Sequence, residues 1–447
     1  MMKKHVLNLI LILLCIFTLT GCSKVIDHIY GGYSEKEIVI NKDDKYYIAG
    51  YKGGRYFTDI LDYQKAKAFY MNYYGEETLL ITIDCVGLTS EYVNQIRKKL
   101  NFNFKVNVIS THTHAGVDTM GLWGPAAVEG KDEIFMNKLI DAAVSAGKDA
   151  YNNRKEGKLT FGSIETNDIL IDSRDPLVYD KNIYQLKFIS NDNTESTRLV
   201  FFSAHAESLR GDNTKISADF PSEMANIIKQ KTNDNMMYFP GAIGGLVMTD
   251  TFDEDDFENN RKITAQKLVE YVLNIKEEEI TSKDFEQVTV KFKTKLENTL
   301  FKYYKFLGIL KNKITKNPFT NSYYLMTELS IIKIGDIAIT LIPGEIFPEL
   351  VYGGAITNSL VDNTNPETLV DLAKEYNINK LIIVGLANDE IGYIIPPSDF
   401  LVNSKYPYVQ NITDDKGENH YEETMSVGEF CANDIANAFE KCLKKLK

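Results

Sequence analysis

Two of the six histidines in the 447-residue sequence, His112 and His114, stand one residue apart within residues 110–116 (STHTHAG). An apolar strand pattern leads into this stretch, and the only tryptophan, Trp123, follows it. Residues i and i+2 of an extended chain point to the same side, so the two imidazoles can aim at one point beyond the strand end. Imidazole is the commonest side-chain metal ligand near neutral pH. The spacing predicts a metal site, or alternatively a strand end with two exposed histidines.

Three further apolar strand patterns also end in polar residues. The strand at 198–202 is followed by His205, a hairpin within 327–342 by Glu345, and the strand at 380–385 by the loop 388–393. Imidazoles and one carboxylate drawn from separate strand ends make a zinc site with an open coordination position. The residues alone therefore predict four zinc ligands: His112, His114, His205 and Glu345. The alternatives are a core histidine at 205 and a helix cap at 345.

The elements that must position these residues read as an α/β fold. A strand at 78–84, a helix at 89–100 and a strand at 105–110 form a βαβ unit, so the two strands should be parallel. Ligands of α/β proteins bind at the carboxyl ends of such strands. No repeat, low-complexity tract or linker divides residues 23–447. We predict one α/β domain in which mixed β-sheets are flanked by helices and the metal site lies at strand carboxyl ends.

Composition limits the partners of this domain. The chain is 44% hydrophobic and 25% charged, as in ordinary globular proteins, and its net charge is −12. An acidic surface argues against nucleic acid and against electrostatic docking on anionic lipid. The basic stretch 302–316 is interpreted as a solvated helix face. Three cysteines beyond position 22 have no disulfide spacing, so Cys85, Cys431 and Cys442 should be buried free thiols.

Residues 1–22 have the features of an export leader. A basic start is followed by an apolar run over 6–18, which is too short to cross a bilayer as a finished helix, and then by Leu19-Thr20-Gly21-Cys22. This ending resembles a bacterial lipobox, which implies cleavage before Cys22 and a lipid on its thiol. A plain secretory signal with a chance cysteine is the alternative. The first interpretation predicts a protein of the cell envelope, lipid-anchored to the membrane; both predict export.

Several segments together resemble the catalytic domain of the neutral/alkaline (non-lysosomal) ceramidases. The resemblance runs from about Gly50 to Gly428. It rests on the order of the STHTHAG segment, Arg174-Asp175-Pro176, His205 after a strand, Pro343-Gly344-Glu345, Gly385-Leu386-Ala387-Asn388, Tyr393 and Tyr421-Glu422. It implies a zinc-dependent hydrolase that cleaves a linear amide such as an N-acyl lipid.

The resemblance also implies roles for individual residues. The zinc ligands would be His112, His205, Glu345 and Tyr393. The residues facing the substrate would be His114, Arg174 and Tyr421. This set replaces His114 by Tyr393 among the ligands, and composition alone would not have suggested a tyrosine.

The sequence departs from the family at three places, and at the first the glycine pair that follows the histidine motif is replaced by Val117-Asp118-Thr119. A Gly-Asp-Val-Ser segment, whose serine matters for activity, aligns with residues 244–247, so that Val247 takes the serine position. The β-sandwich domain that follows the catalytic domain in the family is not expected here. These departures leave a second hypothesis from another class, a surface lipoprotein that binds a ligand or metal without catalysis.

Overall fold

The computed structural model describes residues 27–125, 128–167, 169–250 and 256–446. The predicted leader and Cys22 lie outside these ranges. In chain order the described strands are β1 (Ile29–Glu37), β2 (Asp59–Ile60), β3 (Lys65–Tyr73), β4 (Glu76–Ile83), β5 (Lys105–Ser110), β6 (Lys155–Glu165), β7 (Leu170–Ile171), β8 (Asn182–Ser190), β9 (Ser196–Phe202), β10 (Lys215–Ile216), β11 (Asn235–Pro240), β12 (Met248–Thr249), β13 (Glu278–Glu279), β14 (Phe285–Leu296), β15 (Ile314–Lys316), β16 (Tyr323–Ile334), β17 (Ile337–Leu341), β18 (Glu345–Ile346), β19 (Lys380–Val384) and β20 (Tyr393–Ile394).

The described helices are fewer than the described strands. They are α1 (Ser90–Leu100), α2 (Glu133–Asn152), α3 (Phe220–Thr232), α4 (Phe257–Asn274), α5 (Thr299–Phe306), α6 (Pro348–Tyr352), α7 (Leu369–Glu375) and α8 (Cys431–Leu443), with short 3₁₀ turns at Pro397–Asp399 and Glu422–Met425. No described helix is long and apolar enough to cross a membrane.

Helix α1 illustrates how the sequence builds the elements that lead to the site. Val93, Ile96 and Leu100 recur at helical spacing and are buried. Lysine and arginine in the last turn suit the negative end of the helix dipole, and Asn101 ends the helix with a left-handed φ of 53°. The helix crosses from β4 to β5, which pair in parallel from Thr78↔Lys105 to Ile83↔Ser110. The predicted βαβ unit is therefore present.

Two mixed sheets pack face to face. Within the described residues, the larger sheet has the order β11-β9-β8-β6-β1-β3-β4-β5, with β13 beside β6, and the smaller has the order β14-β16-β17-β19, with β15 beside β16. Ile332 and Val384 of the smaller sheet share one buried cluster with Phe69, Leu80 and Phe201 of the larger. Both sheets therefore bury one face against the other.

Helices cover the two outer faces. On the larger sheet, α2 packs on β1 and β3, α3 on β11, and α4 on β6 and β8; on the smaller sheet, α8 packs on β14 and β16. The layer order is helix, sheet, sheet, helix, which confirms the predicted α/β class with mixed sheets flanked by helices. Cys85, Cys431 and Cys442 are buried free thiols, as predicted.

The carboxyl ends of β5, β9, β17 and β19 meet at one edge of this stack. The Asn388 backbone N–H donates to the Val108 carbonyl at 2.7 Å, and the Asn388 side-chain oxygen accepts from the Val108 N–H at 3.0 Å. The His114 N–H donates to the Ala206 carbonyl at 3.1 Å. These hydrogen bonds join the exits of strands from both sheets, so the polar residues that follow them lie together.

Candidate metal centre and active site

Four buried polar side chains converge where these strands end. The Nε2 atoms of His112 and His205 each lie 3.2 Å from the same oxygen of Glu345. His114 Nε2 lies 3.1 Å from His112 Nε2. Each of the four side chains is buried. The three imidazoles form a group that could hold a metal ion.

The hydrogen bonds of the Nδ1 atoms show which nitrogen of His112 and of His205 carries a proton. His112 Nδ1 lies 2.5 Å from the Val86 carbonyl, and His205 Nδ1 lies 2.9 Å from the Val247 carbonyl. A carbonyl only accepts, so both Nδ1 atoms carry a proton, and Nε2 is the atom of each ring that faces Glu345. Both Nε2 atoms lie 3.2 Å from one carboxylate oxygen, a contact that either a proton on the ring or a metal ion between the atoms would stabilise. Two imidazoles held from behind by carbonyls, with one carboxylate between them, are a donor set that fits a metal ion.

Burial and the contacts within the cluster shift the pKa values of His114, His205 and Glu345. Burial and the neighbouring rings of His112 and His205 lower the pKa of His114 well below its usual range. Burial opposes charge at His205 and Glu345 as well, but their contact raises the pKa of His205 and, with His112, lowers the pKa of Glu345. An ionised Glu345 has the protonation state that metal binding requires, whereas a metal ion at His205 would have to displace the proton that the contact with Glu345 favours.

The two histidines of the STHTHAG segment converge, but not through an extended backbone. Strand β5 ends at Ser110, and His112 has a left-handed φ of 62°. This conformation is strained for a residue other than glycine. The His112 N–H donates to the Cys85 carbonyl at 3.0 Å, which helps fix the turn. Sequence reasoning reached the correct convergence from a different local geometry.

Glu345 and Tyr393 are held side by side by the backbone. Strands β18 and β20 pair in parallel, with Glu345 directly opposite Tyr393, and the Glu345 N–H donates to the Gly392 carbonyl at 3.1 Å. Burial, followed by the charge of Glu345, raises the pKa of Tyr393 well above its usual range. The tyrosine therefore stands next to the carboxylate of the cluster, where the resemblance predicts a ligand.

His114 differs from the other two histidines in its second contact. Its Nδ1 lies 3.3 Å from an oxygen of Glu207, and that oxygen accepts from the Tyr51 hydroxyl at 2.7 Å. Gly50 approaches the same ring so closely that a Cβ there would lie 2.5 Å from His114 Cγ, and its φ is +104°. Only glycine suits this position. A carboxylate behind the imidazole is the arrangement of a proton-transferring histidine.

A pocket opens above the cluster. Its volume is about 500 Å³, and His112, His114, Glu345 and Tyr393 all line it. Most of the remaining wall is apolar, and it includes Met120, Leu122, Trp123, Leu246, Met248, Phe301, Leu310, Ile391 and Met425. The site thus combines a compact polar floor with walls suited to a hydrocarbon chain.

Two solved structures resemble the whole chain. One is neutral ceramidase from Pseudomonas aeruginosa, with a TM-score of 0.68 and 14% identity over 94% of this chain and 74% of that one. The other is described as a ceramidase complexed with C2, with a TM-score of 0.69 and 14% identity over 93% and 75%. The chain has the ceramidase fold. No protein-family model and no curated protein sequence matches the chain.

The position aligned with the serine of the ceramidases does not face the pocket. Val247 is fully buried and packs in a cluster with Val200, Phe202 and Ala204. Its carbonyl accepts from the Nδ1 of His205, so its backbone orients a predicted ligand. The residues on either side, Leu246 and Met248, line the pocket instead. This stretch presents apolar side chains, and no hydroxyl, to the site.

Arg174 lies in a second buried cluster rather than on the pocket wall. Its guanidinium contacts Asp399 at 2.7 Å, Glu422 at 3.0 Å and Glu423 at 3.3 Å. Its Cζ lies 5.2 Å from the centre of the Phe347 ring. Tyr421 precedes the two glutamates and does line the pocket. The predicted role of Arg174 toward substrate stays a prediction, and its contacts place it behind Tyr421.

Sequence reasoning missed three residues of the site. The first is Gly50, which nothing in the sequence links to His114. Glu207 stands two residues after His205, and this HxE spacing was the available signal. Glu390 also lines the pocket, with one oxygen accepting from the Gly392 N–H at 2.7 Å and the other buried without a partner.

Proposed function

We propose that the protein is a zinc-dependent hydrolase that cleaves a linear amide such as an N-acyl lipid. The observation that carries this proposal is the convergence of His112, His205 and Glu345 on one point at the floor of an apolar pocket. The ceramidase fold supports the same reaction class by analogy, which is weaker evidence than the site itself.

His112, His205, Glu345 and Tyr393 would hold the ion. When bound, zinc supplies a Lewis acid that polarises an amide carbonyl and lowers the pKa of a water molecule. The Val86 and Val247 carbonyls fix the rings of the two histidine ligands from behind. Such outer partners set the tautomer of a ligand and its orientation.

His114 would move the proton. Its Nε2 points into the cluster, and Glu207 stands beside its Nδ1. A neutral imidazole with a carboxylate behind it can take a proton from water and give it to the leaving amine. The low pKa of His114 keeps the ring in the base form at neutral pH.

Tyr421 would orient the substrate over the floor of the pocket. Its ring centre lies 6.3 Å from that of Tyr393, and the two rings meet edge to face. Arg174 would act through this tyrosine by holding Glu422 and Glu423, although the resemblance assigns it a direct contact with substrate. The apolar wall would take the acyl chain, because burying each CH₂ contributes roughly 0.8 kcal/mol.

A non-catalytic surface lipoprotein that binds a ligand or metal on the same fold is the second candidate. The observation in its favour is the apolar stretch Leu246 to Met248, which offers no hydroxyl where the ceramidases have a serine. Zinc content does not separate the two candidates, but turnover does.

The deciding experiment is a turnover screen of zinc-loaded protein on N-acyl lipids, N-acyl amino acids and simple esters. We expect amide cleavage that is lost on chelation and restored by zinc. The matched control is His28→Ala, since His28 lies on the surface beside Glu156, far from the site in the fold. Full zinc occupancy without turnover on any substrate would favour the binding protein.

We further propose that the protein is exported and anchored to the membrane through a lipid on Cys22. The support is the leader pattern of residues 1–22. Intact-mass analysis of membrane-extracted protein should show a chain that begins at a lipidated Cys22. An unmodified cysteine at that position would contradict the anchor while leaving the hydrolase proposal intact.

A further inference from the structure

Residues 298–327 are basic in an acidic protein. This segment carries Lys302, Lys305, Lys311, Lys313 and Lys316 and contains no aspartate or glutamate, whereas the whole chain has a net charge of −12. It covers helix α5 and strand β15, and it ends within β16. The positive charge is therefore concentrated in one surface element.

The lysines of this segment are not neutralised by neighbours. Among the described residues, none of the five forms an ion pair. The amino groups of Lys302 and Lys305 donate to the backbone carbonyls of Glu297 and Asn312, both at 3.0 Å. Lys316 stands over the Tyr323 ring at 5.4 Å. Their charge is available to a partner outside the molecule.

Large apolar side chains stand exposed among these lysines. Phe306 is 85% exposed and Phe319 is 95% exposed, and Tyr303 and Leu307 are also exposed. Scattered surface hydrophobic residues need no explanation, but aromatic and basic side chains concentrated in one short segment do. We call residues 303–319 the aromatic–basic surface.

This surface adjoins the mouth of the pocket. Phe301 and Leu310 flank the exposed Tyr303, Phe306 and Leu307 in the chain, and both line the pocket wall. Helix α5 thus contributes Phe301 to the pocket and presents Tyr303 and Phe306 to the outside.

We propose that the aromatic–basic surface docks on an anionic lipid bilayer and turns the pocket mouth toward it. Lysines near such a bilayer are each attracted by about 1 kcal/mol, and aromatic side chains insert at the headgroup level. A polyanion without aromatic groups, such as heparin, would use the lysines but would gain nothing from exposed Phe306 and Phe319. Continuity with the apolar pocket also favours lipid, because an acyl chain could enter without crossing water.

The acidic net charge does not oppose this docking. At physiological salt the Debye length is about 8 Å, so acids on distant faces are screened, and the local charge dominates at the membrane. The expectation from composition, that the protein would not dock on anionic lipid, is revised for this one face. Docking does not depend on the proposed hydrolysis, and its test has a readout without turnover.

The first experiment places a probe on the surface. In full-length protein with Cys15 and Cys22 changed to serine, an environment-sensitive fluorophore is attached at Phe306→Cys, the remaining cysteines being buried. We expect its emission to shift to the blue with vesicles of equal parts phosphatidylglycerol and phosphatidylcholine. A label at Lys231→Cys, at the end of α3 against the other sheet, should not shift.

The second experiment tests the charge. The triple variant Lys311→Glu, Lys313→Glu, Lys316→Glu should bind these vesicles on the order of a hundredfold more weakly. The control Lys231→Glu, Lys262→Glu, Lys267→Glu has the same change in net charge on α3 and α4 and should bind like the parent protein. Phe306→Ser should weaken binding in the same direction with no change in charge.

Several outcomes would overturn the proposal. Equal binding to pure phosphatidylcholine vesicles, or binding unaffected by about 1 M salt, would exclude the electrostatic contact. Equal loss in both triple variants would assign the effect to net charge. Binding to heparin without a shift of the Phe306→Cys probe on vesicles would identify a soluble polyanion as the partner.

Discussion

The histidine cluster and the Arg174 cluster are both buried groups of polar side chains, but they differ in charge balance. In the first, the imidazoles of His112 and His205 meet the carboxylate of Glu345 with no arginine or lysine in contact. In the second, the guanidinium of Arg174 already lies between its carboxylates.

The difference gives a way to separate a binding site from a structural cluster. Burying an unpaired charge is costly, so a buried cluster needs a counter-ion from within the chain or from solution. In the Arg174 cluster the guanidinium is the counter-ion of the carboxylates. Its burial against Phe347 suits a role in stabilising the fold. The carboxylate of the histidine cluster has no arginine or lysine beside it, so its partner must be a proton on an imidazole or a bound cation, and a metal ion would supply the second.

The strongest test of this comparison removes a predicted metal ligand. His205→Ala should lose most of the bound zinc and reduce turnover roughly a thousandfold, because only three of the four proposed donors remain and the ion supplies the main activation of the amide. The measurements are metal content by mass spectrometry and rate on the best amide substrate. Activity that survives both this change and chelation would contradict a metal centre.

Removing the internal cation of the other cluster should affect stability instead. Arg174→Met leaves buried carboxylates uncompensated, so we expect a loss of about 3–5 kcal/mol in the free energy of unfolding. Zinc content per folded molecule should not change. Denaturant unfolding measures the change in the free energy of unfolding. Arg174→Lys keeps the positive charge, so its free energy of unfolding should fall by less.

An opposite result would assign Arg174 the role that the resemblance implies. If Arg174→Met unfolds like the parent protein but has lost turnover, the arginine contacts substrate directly. If stability and turnover fall together and Arg174→Lys restores both, it acts by holding the segment that carries Tyr421.

The sequence predicted the parts of the histidine cluster that depend on strand order. Apolar strands ending in His112, His205 and Glu345 were visible because burial and strand pattern are local properties of the chain. An alternating apolar pattern also runs through residues 36–49, but strand β1 covers Ile29–Glu37, and Ile38 and Ile40 are buried beyond its end without a regular ladder. Their alternation predicted burial correctly but not pairing.

The Arg174 cluster could not be predicted, because its contacts join distant parts of the chain. Arg174 meets Glu422 across 248 positions, and neither residue stands in a periodic pattern. The orientation of Val247 was likewise hidden, since an alignment assigns a position but not the side to which a side chain points. The close approach of Gly50 to the His114 ring also cannot be predicted from the sequence, because it depends on how distant segments pack.

A third prediction concerns which residues of the histidine cluster hold the ion. His114→Ala should keep zinc, because His112, His205, Glu345 and Tyr393 remain, but turnover should fall roughly a hundredfold or more with loss of the proton-transferring group. Zinc content and rate are measured on the same preparation. Loss of zinc in this variant, with zinc kept in Tyr393→Phe, would instead support three histidine ligands and Glu345.

The smallest expected effect comes from the edge of the Arg174 cluster, where acids outnumber cations. Burial, with the nearby Asp172 and Asp399 acting against Arg174, raises the pKa of Glu349 to about 8 from a usual 4.5. The folded protein therefore holds a proton there that the unfolded chain releases above pH 4.5. The contribution to stability is complete below that pH and is lost as the pH rises toward about 8.

Glu349→Gln removes this titration. We expect the melting temperature of the variant, relative to the parent protein, to rise by a few degrees between pH 5 and about 9. A change of 1 kcal/mol shifts Tm by roughly 2–4 °C in chains of about 150–250 residues and by less in a longer chain. Taking the difference cancels the histidine titrations common to both proteins. The control Glu278→Gln changes an exposed residue, and its melting temperature relative to the parent protein should not vary with pH. If the melting temperature of Glu349→Gln instead follows that of the parent protein at every pH, Glu349 ionises normally. The Arg174 cluster would then have no excess of buried acid.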